Sequence, residues 1–94
     1  MPDTHQELPD GLSPYRRTST FSPATVPAGL LRDHKTKAGV WGLIQVVQGT
    51  LIYRIAATGS EQVLTPDVNG VVEPEVLHSV SLSEDAAFFV EFWR

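Results

Sequence analysis

Gly39–Ala57, GVWGLIQVVQGTLIYRIAA, is the longest apolar run in the chain, and it is broken once, at Gln48-Gly49. After the break, Leu51, Tyr53 and Ile55 alternate with Thr50, Ile52 and Arg54. This period of two belongs to a strand with one buried face. Before the break, Val40 to Val47 is almost continuously apolar and rich in β-branched residues, the pattern of a strand covered on both faces. Glycine reaches positive φ without steric cost, so Gln48-Gly49 suits a tight turn. The stretch is expected to form a β-hairpin at the centre of a sheet, against which the other segments bury their apolar faces.

Downstream, Thr58 to Glu61 turns the chain back, and Gln62 to Thr65 is a short strand stopped by Pro66. Asn69-Gly70 is a two-residue turn signal, and Val71-Val72 is ended by Pro74. His78, Val80 and Leu82 share one side of the next strand, and Ser83 to Asp85 turns. Ala86 to Trp93 is the last strand, with Phe88, Val90 and Phe92 on one face and Ala87, Phe89, Glu91 and Trp93 on the other. Upstream, Tyr15 to Thr20 reads as an edge strand that sends Arg16 and Arg17 to opposite faces, and Ala28 to Asp33 as a further strand. Residues 1–13, with Pro2, Pro9 and Gly11, read as a flexible arm, leaving 14–94 as the folded domain. No window keeps a helical period, and seven prolines and seven glycines cut the chain into short pieces. The fold expected is a small all-β sandwich or barrel.

With 94 residues there is room for one domain. The net charge of −4, with Arg16-Arg17 as the only basic doublet, argues against nucleic acid as a partner. The absence of cysteine rules out disulfides and thiolate metal sites. No uninterrupted apolar run approaches the roughly 18 residues of a membrane helix, and the polar, acidic start does not read as a signal peptide. A soluble cytoplasmic protein without a membrane partner is expected.

Three groups carry potential chemistry: His34, the Glu73-Pro74-Glu75 segment, and His78. Imidazole and carboxylate are the usual ligands of zinc, iron or manganese where thiolates are lacking. Glu75 and His78 are three apart and would face opposite sides of a regular strand, but Pro74 lets the backbone bend and bring Glu75 round. Glu91 stands between Phe89 and Trp93, either as an edge carboxylate or as one held inside near the site. His5, in the arm, reads as a solvated histidine.

LPDGLSPYRRT (8–18), VPAGLL followed by Asp33-His34 and TKAGVWG (26–42), the Gly49 turn, VEPEVLHSV (72–80) and FFVEFW (88–93) resemble a family of small cupin-like proteins associated with tellurite resistance. They are similar to the N-terminal domain that precedes the methyltransferase in TehB-type proteins. The resemblance implies a double-stranded β-helix, the cupin or jelly-roll barrel, with a divalent metal inside. By the family pattern His34 takes the place of the first histidine of a His-x-His motif and Gly49 that of its closing glycine. Pro74 and His78 fall on the second motif. Thr36 stands where a second histidine is usual, and Trp41 or Gly42 where a glutamate is usual. A metal site of His34, Glu75 and His78 is therefore expected, holding zinc first, with iron, manganese or nickel as alternatives. Thr36, Lys37, Tyr53 and Glu91 are expected to line the same cavity. The function implied is a metal-binding protein of stress or oxyanion (tellurite-type) response with a small-molecule or oxyanion ligand. A metal-free ligand-sensing or protein-interaction module and a metal-dependent enzyme are the alternatives. Pairing through the aromatic last strand and the Tyr15 edge suggests a homodimer.

Overall fold

A computed structural model describes residues 8–94. Seven strands follow in order: β1 (Pro14–Arg17), β2 (Trp41–Gln48), β3 (Leu51–Ile55), β4 (Glu61–Leu64), β5 (Gly70–Val72), β6 (His78–Leu82) and β7 (Ala87–Trp93). They form two antiparallel sheets, one ordered β1-β7-β2-β5 and the other β4-β3-β6. The inner faces meet in one core: Ile44, Val46, Val72 and Phe88 from the first sheet, and Leu51, Tyr53, Leu64 and Val80 from the second. The all-β expectation holds. The two sheets stay separate and are not hydrogen-bonded into a closed barrel, which corrects that part of the expectation.

The stretch 39–57 forms both expected strands, but they do not pair as a hairpin. β2 lies between β7 and β5, while β3 lies between β4 and β6 in the other sheet. Gln48-Gly49 is a corner where the chain passes from one sheet to the other. Ser83–Ala86 makes the same passage between β6 and β7, and the two corners are tied together. Ser83 N–H donates to Thr50 O at 3.0 Å, Thr50 N–H donates to Ser83 Oγ at 3.0 Å, and Gln48 Nε2 donates to Asp85 O at 2.8 Å. In effect β2–β3 and β6–β7 form one long antiparallel ribbon folded across both sheets. Gly49 has φ 72°, and a Cβ there would meet the Ala86 Cα at 2.7 Å. Glycine thus serves both the left-handed backbone and the close crossing.

Three local expectations change. β2 is not covered on both faces: Gly42, Ile44 and Val46 are buried, whereas Trp41, Leu43 and Gln45 are half-buried and Val47 is exposed. Ala28–Leu31 is a 3₁₀ turn and not a strand. Pro27, at φ −60°, starts it, and Leu30 N–H closes on Pro27 O at 3.0 Å. The turn after β4 is Pro66-Asp67, flanked by Thr65 and Val68, which exchange backbone hydrogen bonds of 3.3 and 2.9 Å. Gly70 instead opens β5, where a Cβ would come within 2.6 Å of Leu64 Cδ1. Its small size serves close packing on the core.

β1 is an edge strand as expected, whereas β7 is interior to its sheet, between β1 and β2. Of the two segments considered for pairing with a second copy, only β1 lies at a sheet edge among the described residues. Ser13 and Arg94 exchange backbone hydrogen bonds of 3.3 and 3.2 Å, extending the β1–β7 register. His5 lies outside the described residues. Among the described residues no helix is long and apolar enough to cross a membrane.

Candidate functional site

A cavity of about 260 Å³ opens on the inner face of the four-stranded sheet. Ile44 of β2, Val72 of β5 and Phe88, Val90 and Phe92 of β7 form its floor. Each follows from strand parity, on the face opposite Leu43, Gln45, Val71, Phe89 and Glu91. Phe21 and Leu30 close one side, Phe21 by a backbone bridge to Phe88 and an edge-to-face ring contact at 5.7 Å. Thr18, Thr36, His34 and His78 supply the polar groups, and among the described residues no lysine, arginine or carboxylate lines the cavity.

His34 and His78 are brought together as the sequence suggested. They form a backbone bridge, with His34 N–H to His78 O at 2.7 Å and His78 N–H to His34 O at 2.8 Å. Their rings meet edge-to-face at 5.5 Å. His34 is exposed, whereas His78 is only 5% exposed and packs against the Tyr53 ring at 5.4 Å. Burial pulls the His78 pKa below its ordinary 6.5. The bond to the Val76 carbonyl opposes that shift, nearby His34 adds to it and Asp33 opposes it. His78 is therefore neutral at neutral pH. Its Nδ1 lies 2.9 Å from Val76 O, and a carbonyl only accepts, so the ring hydrogen sits on Nδ1 and Nε2 keeps a lone pair.

The other expected residues disperse. Pro74 does bend the chain, and Glu75 takes φ 60° with its N–H bonded to Thr36 O at 3.2 Å. Its side chain is exposed and does not line the cavity. Among the described residues no three His, Asp or Glu side chains gather closely enough to hold a metal ion. The donor set His34, Glu75 and His78 is thus not assembled, and two imidazoles in an otherwise apolar wall do not fit a divalent metal. Thr36 lines the cavity as expected, buried, with its hydroxyl donating to Val40 O at 2.8 Å. Lys37 is exposed and outside the lining. Tyr53 belongs to the core behind His78, and its phenol is pushed up to about 12 by burial and then by Glu73. Glu91 projects from the outer face of the sheet and accepts a hydrogen bond from Gln45 Nε2 at 2.7 Å. Of the observed lining, the sequence reading had named only His34, Thr36 and His78 as site residues; Phe21 and Leu30 on the side and Ile44, Val72, Phe88, Val90 and Phe92 on the floor were not assigned to a cavity. The signal for Phe21 and Leu30 was only their apolar character in a Pro-rich segment.

The model of the TehB-like domain matches residues 16–90. The chain is 29% identical over 85 residues to the probable S-adenosyl-L-methionine-dependent methyltransferase TehB of Haemophilus influenzae, covering 84% of this chain and 30% of that protein. The crystal structure of the Haemophilus influenzae TehB superposes with a TM-score of 0.80 at 27% identity, covering 89% of this chain and 32% of that one. The chain thus spans about a third of these relatives. A crystal structure of an Escherichia coli K12 protein superposes with a TM-score of 0.87 at 22% identity, covering 95% of this chain and 96% of that one, and shows the shared fold alone. With the domain model spanning most of its length, this chain belongs to the TehB-like family.

Proposed function

We propose that this chain is a metal-free small-molecule-binding module of cupin type that serves a methyltransferase of the TehB kind. The crossing of β2–β3 and β6–β7 from sheet to sheet favours the cupin reading. The observation that carries the binding function is the cavity of about 260 Å³, walled by Ile44, Val72, Phe88, Val90 and Phe92, with a few polar groups at one side. An oxyanion is a poor occupant. It would lose its hydration to an apolar wall in which the described residues place no lysine or arginine. A neutral, largely apolar molecule gains from the same wall.

The test is an amide NMR titration of the chain with small neutral aromatics, beside metal analysis of untagged protein. Saturable shifts centred on Ile44, Val72, Phe88 and Val90, with metal far below one equivalent, are expected. Shifts confined to exposed residues such as Val47 and Val63 would reject the cavity as the site. One equivalent of metal, lost in both His34→Ala and His78→Ala, would reject the metal-free reading.

A further inference from the structure

The polar side-chain hydrogens of Thr18, Thr36 and His78 in this cavity are already committed. Thr18 donates to Ser19 O at 2.8 Å, and its oxygen accepts from Val90 N–H at 3.0 Å. Thr36 donates to Val40 O at 2.8 Å, with a longer contact of 3.5 Å to Glu73 O, which is itself only an acceptor. The one ring hydrogen of neutral His78 is spent on Val76 O. What remains is acceptor capacity: the Nε2 lone pair of His78, which takes no hydrogen bond from any described residue, and the Thr36 Oγ1 lone pairs. His78 is 5% exposed, and among the described residues only Trp93 Nε1 is a fully buried side-chain polar atom without a partner, so His78 Nε2 is reachable from the cavity. His34, exposed and lining the cavity, marks where it meets solvent.

The rest of the wall specifies shape. Phe21, Phe88 and Phe92 offer aromatic faces and edges, which favour ring partners at 4.5–7 Å. A cavity of about 150 Å³ already accepts benzene, and this one, near 260 Å³, has room for two fused rings.

We infer that the cavity selects a neutral aromatic or heteroaromatic molecule of about one or two rings that carries a hydrogen-bond donor, which it presents to His78 Nε2. Phenols and N–H heterocycles belong to this class. Carboxylates and oxyanions do not, and a ligand that only accepts finds a donor in the His34 ring at the exposed rim but none at the buried end beside His78 and Thr36. The inference rests on the ligand-binding reading above and adds the polarity of the ligand to it.

Three near-isosteric probes separate the two claims on the wild-type chain: indole, with an N–H donor; benzofuran, with an oxygen acceptor in its place; and indene, with neither. Isothermal titration and amide NMR are expected to place all three in the cavity, with indole tighter by roughly 3- to 10-fold, the span of one net hydrogen bond. The ¹⁵N signal of His78 Nε2 should begin as an unprotonated imidazole nitrogen and move upfield with indole only. Equal affinity for the three, or tighter benzofuran, overturns the donor rule and leaves the cavity as a binding site. No cavity shift with any probe up to millimolar concentration overturns the binding function itself. Folded His78→Phe should lose the preference for indole while still binding indene. A retained preference in that variant would overturn the assignment to His78.

Discussion

Gly49→Ala and Gly59→Ala make a matched pair for the corner between the sheets. Both glycines have positive φ, 72° and 68°. A side chain at either position meets the same backbone strain, about 1–2 kcal/mol. Stiffening of the unfolded chain offsets about 0.4–1 kcal/mol of that. The surroundings differ. A Cβ at Gly59 has nothing within 4 Å, while at Gly49 it would lie 2.7 Å from Ala86 Cα and 2.8 Å from both Asp85 Oδ1 and Ser83 Oγ. Ala86 Cα is backbone and cannot rotate away, so the second corner must shift. Overpacking of this kind adds about 1–3 kcal/mol. Gly59→Ala should therefore destabilise by about 0.5–1 kcal/mol and Gly49→Ala by about 2–4 kcal/mol. A domain of 94 residues has roughly 5–14 kcal/mol in total. In thermal unfolding followed by circular dichroism, Gly49→Ala should melt about 10–25 °C lower and Gly59→Ala within several degrees of wild type. Equal melting temperatures for the two variants would refute the crossing of the corners as the reason for glycine at 49.

The other expectations concern the cavity and its flank. Phe88→Ala, which removes a ring that is 1% exposed, should destabilise by about 3–5 kcal/mol in urea unfolding. Phe89→Ala on the outer face, where Arg17 covers the ring at 4.1 Å, should cost only about 1 kcal/mol, and similar costs would mean that the faces of β7 are misassigned. The folded-state pKa of His78 lies below the unfolded value, so its share of stability is complete above about pH 6.5 and declines as pH falls through the depressed value. His78→Gln should flatten that acid limb, and an unchanged slope would assign it to other groups. For Tyr53 the sign is reversed. With the phenol near 12, stability is complete below its ordinary value of 10 and falls as pH rises toward 12, by about 2–3 kcal/mol. Absorbance at 295 nm should show a late-titrating component that Tyr53→Phe removes.

What was legible in the chain was local. The alternation of Leu51, Tyr53 and Ile55, and of Phe88, Val90 and Phe92, fixes which side chains face inward, because strand parity is a property of neighbours. The fate of Gln48-Gly49 was not legible. A tight hairpin and a sheet-to-sheet corner ask for the same glycine, and the choice is made by Ser83–Ala86, far along the chain, crossing beneath it. The meeting of His34 and His78 could be anticipated from two motifs that converge on one wall. The exclusion of Glu75 could not. Pro74 announces a bend, but the positive φ that accompanies an outward side chain arises where Glu75 N–H reaches Thr36 O. Glu91 reads as a buried acid or as an outer-face one until Gln45, diagonal to it on β2, donates its hydrogen bond.

The paired corners also bear on how fast this domain can fold. Of consecutive strands only β3 and β4 are hydrogen-bonded to each other, so one local hairpin is available as a starting point. β2 must wait for β7 and β3 for β6, and each of those closures spans a long loop whose entropy is spent before the sheet contacts repay it. Chains dominated by such non-local pairing refold in milliseconds to seconds. Until the ribbon closes, the edges of β2 and β3 stand open, and it is in that interval that the chain is most exposed to pairing with another copy of itself.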